Sequence, residues 1–345
     1  MAISYEPLTR DEVIKAVERR GPRRIPLVAA RWWGEGLTEQ YGDRLQQLER
    51  YPEDAERIWI DPMPFDRMGL SWDIAPAKAH DQVCIIDDWA KLDEFIAKLP
   101  DPRADAQFAA AIEQAAAARR RGLYTMVAWW RFCFERMWTL RGMTSLFLDY
   151  ADHPEEVRRL HQAIADHWCR WLDAAHAAFA PDGFWTSDDL GHQTSLMMSP
   201  RTFRSLLKPV YRQVGDCLRR NRMHWWLHSC GCNTPVLGDL AECGVTVFHP
   251  VQKGTMDERR TAAEFGDRIT FLAGIDVQHI LQEGSPEDVR REVRFLIDTF
   301  DRADGGLCLA AGNGIVGGTP FANIEAFLDE AVRYGAEHRA RFAAA

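Results

Sequence analysis

The chain has 345 residues, 46% of them hydrophobic and 27% charged, with 13 tryptophans, which gives enough apolar surface for a large core and no signature of disorder. A formal net charge of −9 with both signs interspersed argues against a nucleic-acid partner, because phosphate binding needs a basic face. Met1–Pro7 shows no cationic stretch followed by an apolar run, and the longest uncharged run, Gly305–Ile324, is broken by glycines and Pro320. A cytoplasmic protein with no membrane span is expected, and its scattered cysteines are expected to be reduced thiols.

Along the chain, short runs rich in Val, Ile, Phe and Trp alternate with longer segments of helical periodicity. That pattern predicts repeated strand–helix units around a parallel sheet. The runs are Arg24–Ala30 (RIPLVAA), Arg57–Asp61, Tyr124–Trp129, Gly183–Asp189, Met223–Ser229, Val245–Val251, Ile269–Ile275 and Gly306–Gly312. Eight strands predict a (β/α)8 TIM barrel in one domain over residues 1–345, with an N-terminal helix and an excursion at about 62–99. Helices are predicted over Ala104–Arg121, whose Arg119–Arg121 run suits a helix C-terminus, and over Glu155–Phe179, opened by Pro154.

In such a barrel the reactive groups lie at the C-terminal strand ends, and polar residues do collect there. Asp188 and Asp189 end the fourth run, His228 and Cys230 the fifth, His249 and Gln252 the sixth, Asp276 and Gln278 the seventh and Asn313 the eighth. His228 and Cys230 stand two apart on a strand, so both side chains face the mouth, where a thiolate and an imidazole suit Zn²⁺. A third ligand is needed, and Cys232, His249, Asp189 and Asp276 are the candidates. Cys308 lies roughly 16 Å down its strand from the mouth and is expected in the core, and Cys243 precedes the sixth strand and is expected at the opposite face of the barrel. Each Trp-Trp pair can turn only one ring into the barrel.

The runs HSCGC, ECGVTVFHPVQ, FGDRITFLAGIDVQHIL, GSPEDVRREV and TPFANIEAFLDEAVRYG resemble the uroporphyrinogen decarboxylase superfamily. The resemblance extends to PRRIP, FERMWTLRGM (134–143) and SDDLGHQTSLMMSP (187–200), and it is nearest to the zinc-dependent corrinoid methyltransferase branch. It implies a distorted (β/α)8 barrel, zinc held by a His-x-Cys that matches His228 and Cys230, and a distant cysteine in a Gly-Cys pair after the last strand. This chain has Gly312-Asn313 there. The decarboxylase signature near the first strand is matched by Arg31 at most, and its second arginine is missing from Ala29–Gly36.

The resemblance therefore implies a metal-assisted methyltransferase moving a methyl group between a corrinoid and a small thiol, with Zn²⁺ as cofactor. No Asp-x-His-x-x-Gly motif is present, so the corrinoid would sit on a separate protein. The expected metal ligands are His228, Cys230 and His249, and the expected catalytic groups are Asp189, Asp276, Gln252 and Asn313. The alternatives are a lyase or decarboxylase acting on a smaller molecule, with Asp189, Asp276 and His228 handling protons, and a non-catalytic binding barrel. A small-molecule substrate is expected in each case, and a homodimer is compatible with all of them.

Overall fold

The computed structural model describes residues 5–71, 84–102 and 107–343. Seven parallel strands form one sheet in sequential order: β1 (Ala55–Trp59), β2 (Tyr124–Trp129), β3 (Gly183–Ser187), β4 (His224–His228), β5 (Val245–His249), β6 (Thr270–Ile275) and β7 (Leu307–Ala311). Each strand is short, and β1 to β6 all carry β-branched or aromatic residues, whereas β7 is built from Leu, Cys and Ala. Helices connect the strands, as parallel pairing requires a crossover. The helix Pro154–Phe179 starts with proline at its first turn, where the missing N–H is not needed, and buries a stripe from Val157 through Ile164 to Leu172. Arg119 donates to the carbonyls of Phe179 and Ala180 at the end of that helix, so a cation meets unpaired C-terminal carbonyls.

The first expected strand, Arg24–Ala30, is not a regular strand, and the eight-stranded expectation is corrected to a seven-stranded curled sheet. The segment runs beside β7 through Val28 N–H to Leu309 O and Leu309 N–H to Pro26 O, at 3.0 and 2.9 Å. Towards β1, regular pairing is replaced by side chains. Asp54 accepts from Leu27 N–H at 2.7 Å, Glu53 accepts from Ala29 N–H, and Ala29 itself has φ +57. A left-handed residue and a proline without an N–H both interrupt a ladder. Of the expected excursion at 62–99, residues 72–83 lie outside the described residues. The rest carries short helical turns at Trp89–Lys91 and Leu92–Ala97.

Strand alternation sorts the aromatic residues. Trp226 points to the inner face with Tyr124, Trp185, Leu272 and Cys308, whereas Trp225 points outward against Phe132, Tyr211 and Phe184 beneath the helices. Only one ring of that pair enters the interior. Cys243 is buried at the end of helix Thr234–Cys243, at the strand N-terminal side, and Cys308 is fully buried in the inner layer. Among the described residues, no helix is long and apolar enough to cross a membrane.

Candidate metal centre at the strand ends

The pairing register sets the site. Ser187 lies opposite His228, and His228 lies opposite His249, so the residues just beyond β3, β4 and β5 converge. The turn after β4 is tied down by Asn233, whose amide donates to the carbonyls of Ser229, Cys230 and Gly231 at 3.0 Å each. Ser229 in turn bonds to Asn233 and to Leu190 N–H. Gly231 has φ +80, and a Cβ there would come within 2.4 Å of Gly191. Only glycine fits, which is why HSCGC places its glycine between two cysteines. The turn presents Cys230 to the cavity and holds Asp189, whose Oδ1 accepts from Cys230 N–H at 2.8 Å.

His228 Nε2, Cys230 Sγ and an Asp189 carboxylate oxygen all lie within 4.8 Å of one another. Cys230 Sγ is 3.3 Å and Asp189 Oδ1 is 3.7 Å from His228 Nε2. The protons on the two histidines follow from their partners. His249 Nε2 is 2.9 Å from Ala311 O, a carbonyl that can only accept, so Nε2 carries the proton. Burial drives both imidazoles towards the neutral form, and His228 lowers His249 further. His249 Nδ1 is then a bare acceptor 2.7 Å from His228 Nδ1, which must donate. The His228 Nε2 lone pair is left facing the sulfur and the carboxylate. A histidine whose second nitrogen is fixed in this way is preset as a metal ligand.

His249, expected as a metal ligand, therefore has both ring nitrogens engaged by protein atoms and stands behind His228. Asp189 supplies the third of the donor atoms that converge here. Trp32 and Trp130 pack edge-on against the His228 ring, at 5.7 and 6.2 Å between centroids, which keeps it in a largely apolar wall. Burial first, then Asp189 and Glu135, push the Cys230 thiol up, so its thiolate needs a compensating cation. Asn313 brings its amide within 3.7 Å of Cys230 Sγ.

The remaining expected residues sit at varying remove. Gln252 accepts from Gly231 N–H at 2.7 Å and lines the cavity, thereby steadying the Cys230 turn. Asp276 lines the same cavity, but its Oδ1 accepts from Gln278 and His279 N–H, which makes it the anchor of its own turn. Cys232 is outside the converging donor group. Arg31 lines a separate cavity with Trp33, Glu53 and Arg57. Asp188 does not face the site: it is fully buried and accepts from Cys133, Phe134 and Glu135 N–H and from Tyr211 O–H.

Two cavities meet at Trp32, Asp189 and Asn313. The larger, about 820 Å³, extends over Gln252, Asp276 and Val316. The smaller, about 430 Å³, is walled by Trp129, Trp130 and Phe65 and contains Glu135 and Arg136. Glu135 was not singled out from the sequence. Burial, then the Asp189 and Asp188 charges, raises its carboxyl to about 8. The sign of its importance was a carboxylate in FERMW, one position after an apolar helix start, and only the fold brings it to the strand ends.

The fold and site together define an α/β protein with a curled parallel sheet and an imidazole–thiol–carboxylate cluster at its C-terminal edge. The sequence profile of uroporphyrinogen decarboxylase (URO-D) matches residues 45–334, and the chain belongs to that family. Among curated relatives, the methylcobamide:CoM methyltransferase MtaA of Methanosarcina barkeri is 28% identical over 38% of this chain and 36% of its own length. The methylcobamide:CoM methyltransferase MtbA of Methanosarcina acetivorans is 27% identical over 36% of this chain and 35% of its own. The matches thus span little more than a third of either relative. The structure of a methyltransferase from Methanosarcina mazei superposes with a TM-score of 0.70 at 14% identity, covering 95% of this chain and 99% of that one, which is a likeness of fold.

Proposed function

We propose that the protein is a zinc-assisted methyltransferase that moves a methyl group between a corrinoid carried on a separate protein and a small thiol. The observation that carries this reading is the convergence of His228 Nε2, Cys230 Sγ and the Asp189 carboxylate at the seam of two cavities. One nitrogen, one sulfur and one oxygen donor form a set that suits Zn²⁺ and leaves a fourth position for substrate. Asp189 would supply the third donor in this chain, which carries Asn313 in place of the distant cysteine. The named activity of the relatives, transfer between a methylcobamide and CoM, points in the same direction. Zinc bound there would supply a Lewis acid that favours the thiolate form of a substrate thiol at neutral pH.

The chain's own residues do the rest. His249 keeps the His228 Nε2 lone pair directed at the site, and Cys230 N–H holds the Asp189 carboxylate in place. Trp32 and Trp130 exclude water from one side, and Glu135, whose carboxyl burial raises to about 8, holds a proton at neutral pH in the adjoining chamber. In the transfer a sulfur–carbon bond forms and the cobalt–carbon bond breaks, and both of its electrons remain on cobalt. Incubation of the purified protein with methylcobalamin and a panel of thiols tests the reading. Cob(I)alamin should accumulate anaerobically with at least one thiol, visible in the corrinoid spectrum. An unchanged spectrum across the panel with zinc-loaded protein would exclude this activity.

A further inference from the structure

The chamber beside the candidate metal centre contains a buried arginine with one unmet hydrogen-bond donor. Arg136 lies on the helix Phe134–Arg141, is 3% exposed, and lines the 430 Å³ cavity. Its Nε is buried without a hydrogen-bond partner, and its guanidinium packs 5.3 Å from the Phe65 ring centroid. A buried guanidinium with an unmet donor is costly unless something binds there. Burial lowers its pKa only to about 10, so it stays cationic at neutral pH. Asp61 and Glu135 share the wall, and Arg131 adds a second guanidinium at the same cavity.

The other walls are flat and aromatic. Trp130 stacks on Trp32 with centroids 5.4 Å apart and leans on Trp59 at 5.0 Å, and Trp129 and Phe65 complete the enclosure. A volume near 430 Å³ falls within the range of roughly 300–1,000 Å³ typical of pockets for ligands larger than a two-carbon thiol. Indole faces favour planar bodies, and a guanidinium fork favours a carboxylate.

We infer that this chamber is the small-molecule subsite, and that the thiol it takes is a flat aromatic acid whose single carboxylate is fixed by Arg136. The inference rests on the methyl-transfer reading only for the reaction carried out, and binding can be tested without turnover. Arg136 is a binding and specificity residue in this account. It bonds the anionic end of the ligand while the ring lies against the tryptophans, with the far end directed to the seam at Asp189.

The test uses 4-methoxybenzoate and its uncharged isostere 4-methoxybenzamide, with binding followed by indole fluorescence and calorimetry on zinc-loaded and metal-stripped protein. The acid should bind the wild type at least roughly tenfold tighter than the amide, as a charge-assisted bidentate contact allows. It should also bind tighter than 2-mercaptoethanesulfonate, which lacks a ring. Arg136→Met should reduce the acid-over-amide preference to near unity, because it removes the guanidinium that distinguishes a carboxylate from an amide. Equal binding of acid and amide to the wild type, tighter binding of the sulfonate, or a tenfold preference retained in Arg136→Met would each overturn the inference. The wild-type comparison decides the matter even if that variant folds poorly. Because metal-stripped protein is included, failure of methyl transfer leaves this result readable, and the reverse also holds.

Discussion

Cys230→Ser should reduce bound zinc to trace levels and lower methyl transfer by more than 100-fold, whereas Cys308→Ser should leave the metal content unchanged. Serine keeps the volume but offers a hydroxyl that does not ionise near neutral pH, so one of three converging donors is lost. Loss of an outer-shell partner alone typically weakens a site by about 10–100-fold, and loss of a ligand exceeds that. Cys308 is fully buried in the inner layer beneath the site and has no role in the donor group. Metal analysis of both purified variants checks the contrast. Equal depletion in the two would show that the depth of a cysteine along its strand does not decide its role.

The second large effect concerns stability. Asp188→Ala should destabilise the protein by about 3–5 kcal/mol, because it strips the acceptor from three N–H groups at the start of helix Phe134–Arg141, two of them in fully buried bonds, and from the buried Tyr211 hydroxyl. Each such group left unmatched costs roughly 1–3 kcal/mol. Tm should fall by about 4–7 °C for a chain of this size. Asp189→Ala, one residue further on, should cost little stability, since the Asp189 side chain is 37% exposed, but should weaken metal binding. Thermal melts and zinc titrations of the two variants separate the roles. Similar melting shifts in both would contradict them.

That adjacent pair shows how far the sequence could be read. Polar residues at strand ends are visible as a pattern; His228 closes β4, and Cys230 meets it at 3.3 Å from the turn beyond the strand. Which carboxylate faces the cavity depends on the path of the chain after β3, where Asp188 turns back under the helix and Asp189 forward to Cys230 N–H. Periodicity ends with the strand and carries no information there. His249 was placed at the right strand end, yet its ring nitrogens are claimed by Ala311 O and His228, contacts between residues 62 and 21 positions apart in the chain. RIPLVAA has the composition of a strand, but Pro26 and the left-handed Ala29 let Asp54 and Glu53 side chains replace the ladder. Glu135 and Arg136 lie on a helix after β2, and only the fold brings them beside the metal ligands.

Zinc stoichiometry of the wild-type protein tests the central claim most directly. Elemental mass spectrometry on protein purified without added metal, and again after chelation and reloading, should give about one zinc per chain, lost on chelation and regained on reloading. Protein that holds no zinc as purified and takes up none at micromolar concentration would contradict a metal centre at His228, Cys230 and Asp189, and with it the methyl-transfer mechanism.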